Sequence, residues 1–476
     1  MPESQRRGLL AGARTASGIL GIGVAAAAII VASVAPLPSL TTSRAPVSVT
    51  PVPLGQQLVC PGAVLRLGDE SGANASSARP IGSPRSVAGA TSGDVVRTPL
   101  AAGDASEAAS PAIIAVPEAD DDGTVTVAAA QAQTVDAGEV AGFAAADCTR
   151  PSSDTWIVGG STATGRTALL ALANPGTVIS TVALDLIGPD GVIEATGSSG
   201  IVVPARSQRV LSLAGFAPGV ESFAIRVTSS GGPVAATLQQ SVVRGIDAGG
   251  LDIVGAAGTP TTTTVIPGVV IQGAEEAGTL LGEEGFEDLA TILRAYVPGE
   301  VPATGTVRLL SSDPAVAGGS FAIRLDAGVV SEIGLEELPD GIYTAIVETD
   351  EPVIAAIRAS AVADGVVDLA WSTPATALSD SAVIAVADGP SPSLQLANTG
   401  TTESTVTVTS ATGASEQVTV APGAVAAVSV AGGSRYTLSG TDGLHGSVVF
   451  TGEAAIGGYP IAATAGVEPD VHVYLD

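Results

Sequence analysis

The sequence predicts a mainly β protein: tandem antiparallel β-sandwich (Ig-like) modules after one N-terminal transmembrane helix. Three observations lead there. Short aliphatic segments alternate inward and outward side chains, the period of two that belongs to strands. Turns drawn from 59 Gly and 31 Pro separate them. From Trp156 onward the order of these segments repeats, as it does when one module is used several times.

The first element is an apolar run, Gly18 to Ala35, preceded by Arg6, Arg7 and Arg14. An apolar helix of about 18 residues rises roughly 27 Å, enough to cross a hydrocarbon core. The arginines keep residues 1–17 cytoplasmic. A cleaved signal peptide competes, because Ser33-Val34-Ala35 has the small-x-small pattern. Against it, the run exceeds a usual signal core, and Pro36 would follow the cut, where its fixed φ suits a protease-bound strand poorly. Residues 18–35 therefore read as a transmembrane anchor or uncleaved signal, with the rest exported. Residues 36–53, rich in Pro, Ser and Thr, read as an extended spacer.

Residues 54–155 form an N-terminal β-rich region. In an exported chain the pair Cys60 and Cys148 reads as a disulfide. Closing so long a loop is worth about 4–5 kcal/mol in the chain-entropy model. Val64 to Leu67 and Thr124 to Val127 alternate as strands. Residues 69–110, rich in Ser, Gly, Ala and Asp, predict a long irregular or mobile loop. Thr134 to Ala146, acidic and Ala-rich, predicts a short helix or irregular backbone.

Three sandwich units follow, at 156–258, 265–372 and 382–465. Leu170-Ala171-Leu172-Ala173-Asn174-Pro175-Gly176 in the first matches Leu394-Gln395-Leu396-Ala397-Asn398-Thr399-Gly400 in the third. Period two places Leu170, Leu172, Val182, Leu184 and Leu186 inward and Asp185 outward. The Asn-x-Gly segments turn the chain. Residues 259–264 and 372–381 read as linkers. Between Glu275 and Leu293, apolar residues at helical spacing predict a short helix on the middle unit or an insertion capping a sheet edge. A β-propeller also repeats its sheets, but three units of this length are too few and too long for blades.

Composition removes several chemistries. All 19 basic residues are Arg, and the net charge is −28; nucleic-acid phosphates would repel such a chain, so no nucleic-acid partner is expected. Without lysine there is no Ser-Lys or Schiff-base catalysis. A Ser-His-Asp triad would need His445 or His472, which read as a turn residue and a chain-end residue. Neither cysteine has a neighbouring His or Cys, so no metal site or cofactor is expected. Asp120-Asp121-Asp122-Gly123 lacks the alternating ligands of a calcium loop and reads as a solvated turn. Leu396 to Gly400 resembles a sortase motif but sits in a predicted strand. Asn74-Ala75-Ser76 is a glycosylation sequon. Trp156 and Trp371 read as core residues. The residue usage itself, rich in Ala, Gly, Arg and Pro, fits a high-GC bacterial genome.

Cys148-Thr149-Arg150-Pro151, Trp156-Ile157-Val158-Gly159-Gly160-Ser161-Thr162, Gly165-Arg166 and Leu172 to Gly176 resemble an uncharacterised actinobacterial family of envelope proteins. The resemblance implies one N-terminal membrane helix and a β-rich exported region. It transfers no catalytic residue. Members tend to be encoded beside envelope glycosyltransferases, which implies a link to surface glycan assembly. The resulting expectation is a non-enzymatic extracytoplasmic envelope protein, single-pass through residues 18–35, acting as a spacer or interaction module. Its expected partners are envelope proteins or cell-wall glycan. The alternatives are an accessory subunit of a glycan-assembly or secretion complex, and an exported glycan hydrolase.

Overall fold

A computed structural model describes residues 47–49, 57–68, 78–103, 105–116, 125–335, 338–462 and 471–473. Residues 1–17 and 18–35, expected as a cytoplasmic stretch and an anchor, the sequon 74–76 and the acidic segment 120–123 lie outside the described residues. Among the described residues no helix is long and apolar enough to cross a membrane. The chain divides into two units. In the smaller, Val47–Val49 pairs antiparallel with Val471–Val473, placing Ser48 opposite His472. Part of the expected spacer is thus strand, as its two β-branched residues favour. The larger unit comprises residues 53–467 and holds everything described below.

Mainly antiparallel β structure is what this unit contains, and one strand plan recurs three times in it. In each module the first, sixth, third and fourth strands form one sheet in that order. The fifth, second, seventh and eighth form another. In the third module the strands are Ser381–Val386, Ser393–Ala397, Ser404–Ser410, Ser415–Val420, Val425–Ser429, Ser434–Ser439, His445–Gly452 and Ala455–Pro460. In the first, running from Asp154–Val158 to Asp247–Val254, the fourth strand is broken into Gly191–Ile193 and Ile201–Val203. In the second, the sixth and seventh strands fuse into Gly341–Ala363, which crosses from one sheet to the other. His445 opens a strand; it does not sit in the expected turn.

The alternating pattern explains the burial. Leu170, Leu172, Val182, Leu184 and Leu186 are buried between the sheets and Asp185 is exposed. The matching asparagines do the same work twice. Asn174 Nδ2 donates to the carbonyls of Val178 and Val203, and its Oδ1 accepts from Gly176 N–H. Asn398 makes the same three bonds with Thr402, Val420 and Gly400. Each amide satisfies backbone groups at a buried strand corner that would otherwise go unpaired.

Several elements differ from expectation. Residues 69–110 contain the strands Ala78–Pro80, Arg85–Ala90 and Val96–Pro99, paired with partners elsewhere in the region. Thr134 to Ala146 lies in a hairpin, Val127–Ala137 with Val140–Asp147. Its alanines are weak strand formers, but they are small and sit where strands of other modules come close. Thr261 to Thr264, expected as linker, opens the strand Thr261–Ile271, which four β-branched residues favour. The acidic segment that opens at Glu275, by contrast, contains the expected short helix, Ala274–Leu280.

The modules are not strung out. Each closes on a hairpin, and the second strand of each hairpin turns inward. Val140–Asp147, Asp247–Val254, Val366–Ser372 and Ala455–Pro460 pack in a closed circuit, each against the next and the last against the first. The N-terminal region, which supplies Val140–Asp147, thereby acts as a fourth member. A propeller has such a centre; the paired sheets within each module belong to the sandwich reading.

Candidate functional site

The glycines at the centre of the circuit explain how it closes. Gly142 has φ +144° and Gly250 φ +102°, conformations that favour residues without a Cβ. A Cβ on Gly142 would lie 2.5 Å from Asp368 Oδ1, and one on Gly250 would lie 2.8 Å from Asp368 Cα. The two glycines clear the space that one carboxylate fills.

Asp368 is 0% exposed. Its Oδ2 accepts from Phe143 N–H at 3.0 Å and from Ile456 N–H at 3.3 Å. Its Oδ1 accepts from Leu251 N–H at 3.2 Å. These donors come from the other three inward strands, one each. Asp252 answers in the opposite direction: Oδ2 accepts from Trp371 N–H at 2.7 Å and Oδ1 from Ile253 N–H at 2.8 Å. Burial pushes the Asp368 carboxyl well above the usual range and raises Asp252 to about 7, against the pull of the N–H bonds.

Beside this centre the first two modules are riveted by buried cations. Arg294, 0% exposed, donates to Gly160 carbonyl at 2.6 Å and pairs with Glu332 at 2.6 Å. Its guanidinium lies 4.6 Å from the Trp371 ring, and Arg358 approaches the same ring at 5.9 Å. Gln240 Oε1 accepts from Trp371 Nε1 and from Gly160 N–H. Trp156 and Trp371 are both core residues.

A family model described as a family of unknown function, DUF5719, matches residues 101–431. The chain belongs to this family. The match spans Phe143, Leu251, Asp252, Arg294 and Asp368, and so most of the central joint. No curated protein matches this DUF5719 chain.

Cys60 and Cys148 form the expected disulfide, closing a separation of 88 residues. It borders a crevice of about 40 Å³ lined by Asp147, Cys148, Arg150, Tyr459 and Ile461, room for no more than a few waters. Burial raises Asp147 to about 6. Tyr459 uses its hydroxyl within the fold, donating to Ala385 carbonyl and accepting from Ala387 N–H. His445 Nδ1 lies 2.8 Å from Ala375 carbonyl, and burial lowers its pKa.

The central joint was missed by sequence reasoning. A signal existed: Asp252 and Asp368 each interrupt an aliphatic strand, in Leu251-Asp252-Ile253-Val254 and Val366-Val367-Asp368-Leu369. A charge in a strand buried on both faces needs a partner. Chemically, the two carboxylates hold backbone groups and are closed to solvent. Among the described residues no group of three or more His, Cys, Asp or Glu is placed to hold a metal ion.

Proposed function

We propose that the chain is a non-enzymatic extracytoplasmic protein of the cell envelope, tethered through residues 18–35, whose Ig-like sandwich modules act together as a rigid interaction body. One observation carries this reading: the closed circuit of four hairpins around the sealed Asp368 carboxylate. Such a joint uses buried carboxylates and glycines to fix the outer sheets relative to each other, which suits presentation of surfaces to partners. A spacer gains nothing from folding its last module against its first. The Cys60–Cys148 disulfide supports an oxidising compartment.

The test is crosslinking in intact cells followed by detergent solubilisation and pull-down. Recovery of discrete envelope proteins, or of wall glycan, in stoichiometric yield supports the reading. A tag at Asp476 that is shielded from the exterior, or release of glycan fragments by the purified protein, overturns it. Co-purification with a membrane biosynthetic complex would make the chain an accessory subunit.

A further inference from the structure

The hairpin tips of the first and second modules lie at one end of the joint, and they expose aliphatic side chains. Ile246 is 82% exposed, Val366 60% and Leu281 37%. Contacts bring the segments that carry them together. The strands Asp247–Val254 and Val366–Ser372, which start at these tips, run side by side. Gly365 N–H donates to Glu276 of the short helix at 2.7 Å, and Leu281 caps that helix. The segment that follows Leu281 returns to the first tip, where Arg244 Nε donates to Gly285 carbonyl at 3.1 Å.

The rim is acidic and its cations are occupied. Asp247, Glu283, Glu284 and Asp364 are exposed. Arg166 and Arg244 are both held by Asp288, at 3.1 and 2.5 Å. Exposed aliphatics scattered singly need no explanation; three on neighbouring turns, flanked by carboxylates and, among the described residues, by arginines already paired with Asp288, select their occupant by charge. An acidic protein surface or an anionic lipid would be repelled, and a second copy of this chain brings the same sign.

We propose that Ile246, Leu281 and Val366 form a docking surface for a basic, aliphatic-bearing segment of a partner protein. The proposal rests on the interaction-body reading above and names the face through which that body works.

The probe is a labelled peptide alternating arginine and valine, titrated by fluorescence anisotropy onto the disulfide-intact exported chain. Binding is expected at low salt, weakening as salt rises. The variant Ile246→Ser/Leu281→Ser/Val366→Ser should bind at least about tenfold more weakly, and so should Asp247→Arg/Asp364→Arg. The variant Glu403→Arg/Glu416→Arg, exposed on the third module, should bind as the parent does. All of these positions are exposed, and unchanged thermal unfolding confirms the fold of each variant. Equal binding by the serine variant, equal loss in the third-module variant, no binding by the parent, or tip-dependent self-association or vesicle binding instead would each overturn the proposal. If the peptide fails while crosslinking in cells still returns protein partners, this surface falls and the interaction body stands. If crosslinking returns none, both fall.

Discussion

The N–H of Phe143 donates to the carboxylate of Asp368, 225 residues away, at 3.0 Å. The same carboxylate takes N–H groups from Leu251 and Ile456, so one side chain registers four parts of the chain. Asp368→Ala should leave three buried donors without an acceptor. At about 1–3 kcal/mol each, the loss is expected to be about 3 kcal/mol or more in chemical denaturation. Asp368→Asn should fall short of rescue, because its NH2 group turns a donor toward N–H donors.

Gly142 and Gly250 are the counterparts of that carboxylate. Gly142→Ala places a methyl 2.5 Å from Asp368 Oδ1, at a φ of +144°. We expect a loss of more than about 2 kcal/mol, read from the denaturant midpoint. In the Asp368→Ala background the steric part of the cost should shrink, while the backbone part remains. A double-mutant cycle separates the two.

The strand plan of the modules was legible because alternation and turn residues are local signals. Leu170, Leu172 and Asp185 behave as period two dictates. The asparagine corners at Asn174 and Asn398 were visible as repeats, though not their three-way bonding. The joint was hidden for a physical reason. Gly142, Ala144, Ala145, Gly249 and Gly250 look like poor strand formers, yet their smallness is what close packing of four strands requires. Long-range closure leaves no periodicity in one chain segment. Thus Thr134 to Ala146 reads as helix or irregular backbone where the fold has a hairpin, and the partnership of Asp368 with Phe143, Leu251 and Ile456 leaves no mark beyond a charge among aliphatics.

Stability should depend on pH through Asp252. Its folded-state pKa is raised from 3.8 to about 7. A raised folded pKa means that its contribution is whole below about 3.8 and is lost as pH rises toward 7. Asp147, raised to about 6, acts in the same sense. His445, lowered by burial, acts in the opposite sense as pH falls through its ordinary value of 6.5. Comparing the parent with Asp252→Asn isolates the carboxyl. From pH 4 to pH 8 the balance should move toward the asparagine variant by up to about 4 kcal/mol. A constant difference across that range would refute the assignment.

Arg294 is expected to be irreplaceable by lysine. The guanidinium binds Gly160 carbonyl, Glu221 carbonyl and Glu332 while lying over Trp371. An ammonium has no planar fork with which to reach three acceptors and stack. Arg294→Lys should cost about 3 kcal/mol or more, since it breaks a buried, hydrogen-bonded pair. Limited proteolysis should then cut first between the first two modules, a result that a purely local loss in the second module would not give.

Reduction of the Cys60–Cys148 disulfide tests whether the N-terminal region belongs to the joint. Cys148 directly follows Val140–Asp147, the strand that brings Phe143 to Asp368. Opening an 88-residue separation frees the unfolded chain, a cost of about 4–5 kcal/mol in the chain-entropy model. Were the region an independent appendage, only its own transition would move. Because its last strand closes the circuit, the unfolding of the three modules should shift as well, by differential scanning calorimetry with and without reductant. The Cys60→Ser/Cys148→Ser variant should reproduce the shift, and adding Asp368→Ala to it should cost less than in the parent, since Phe143 is then already loosely held.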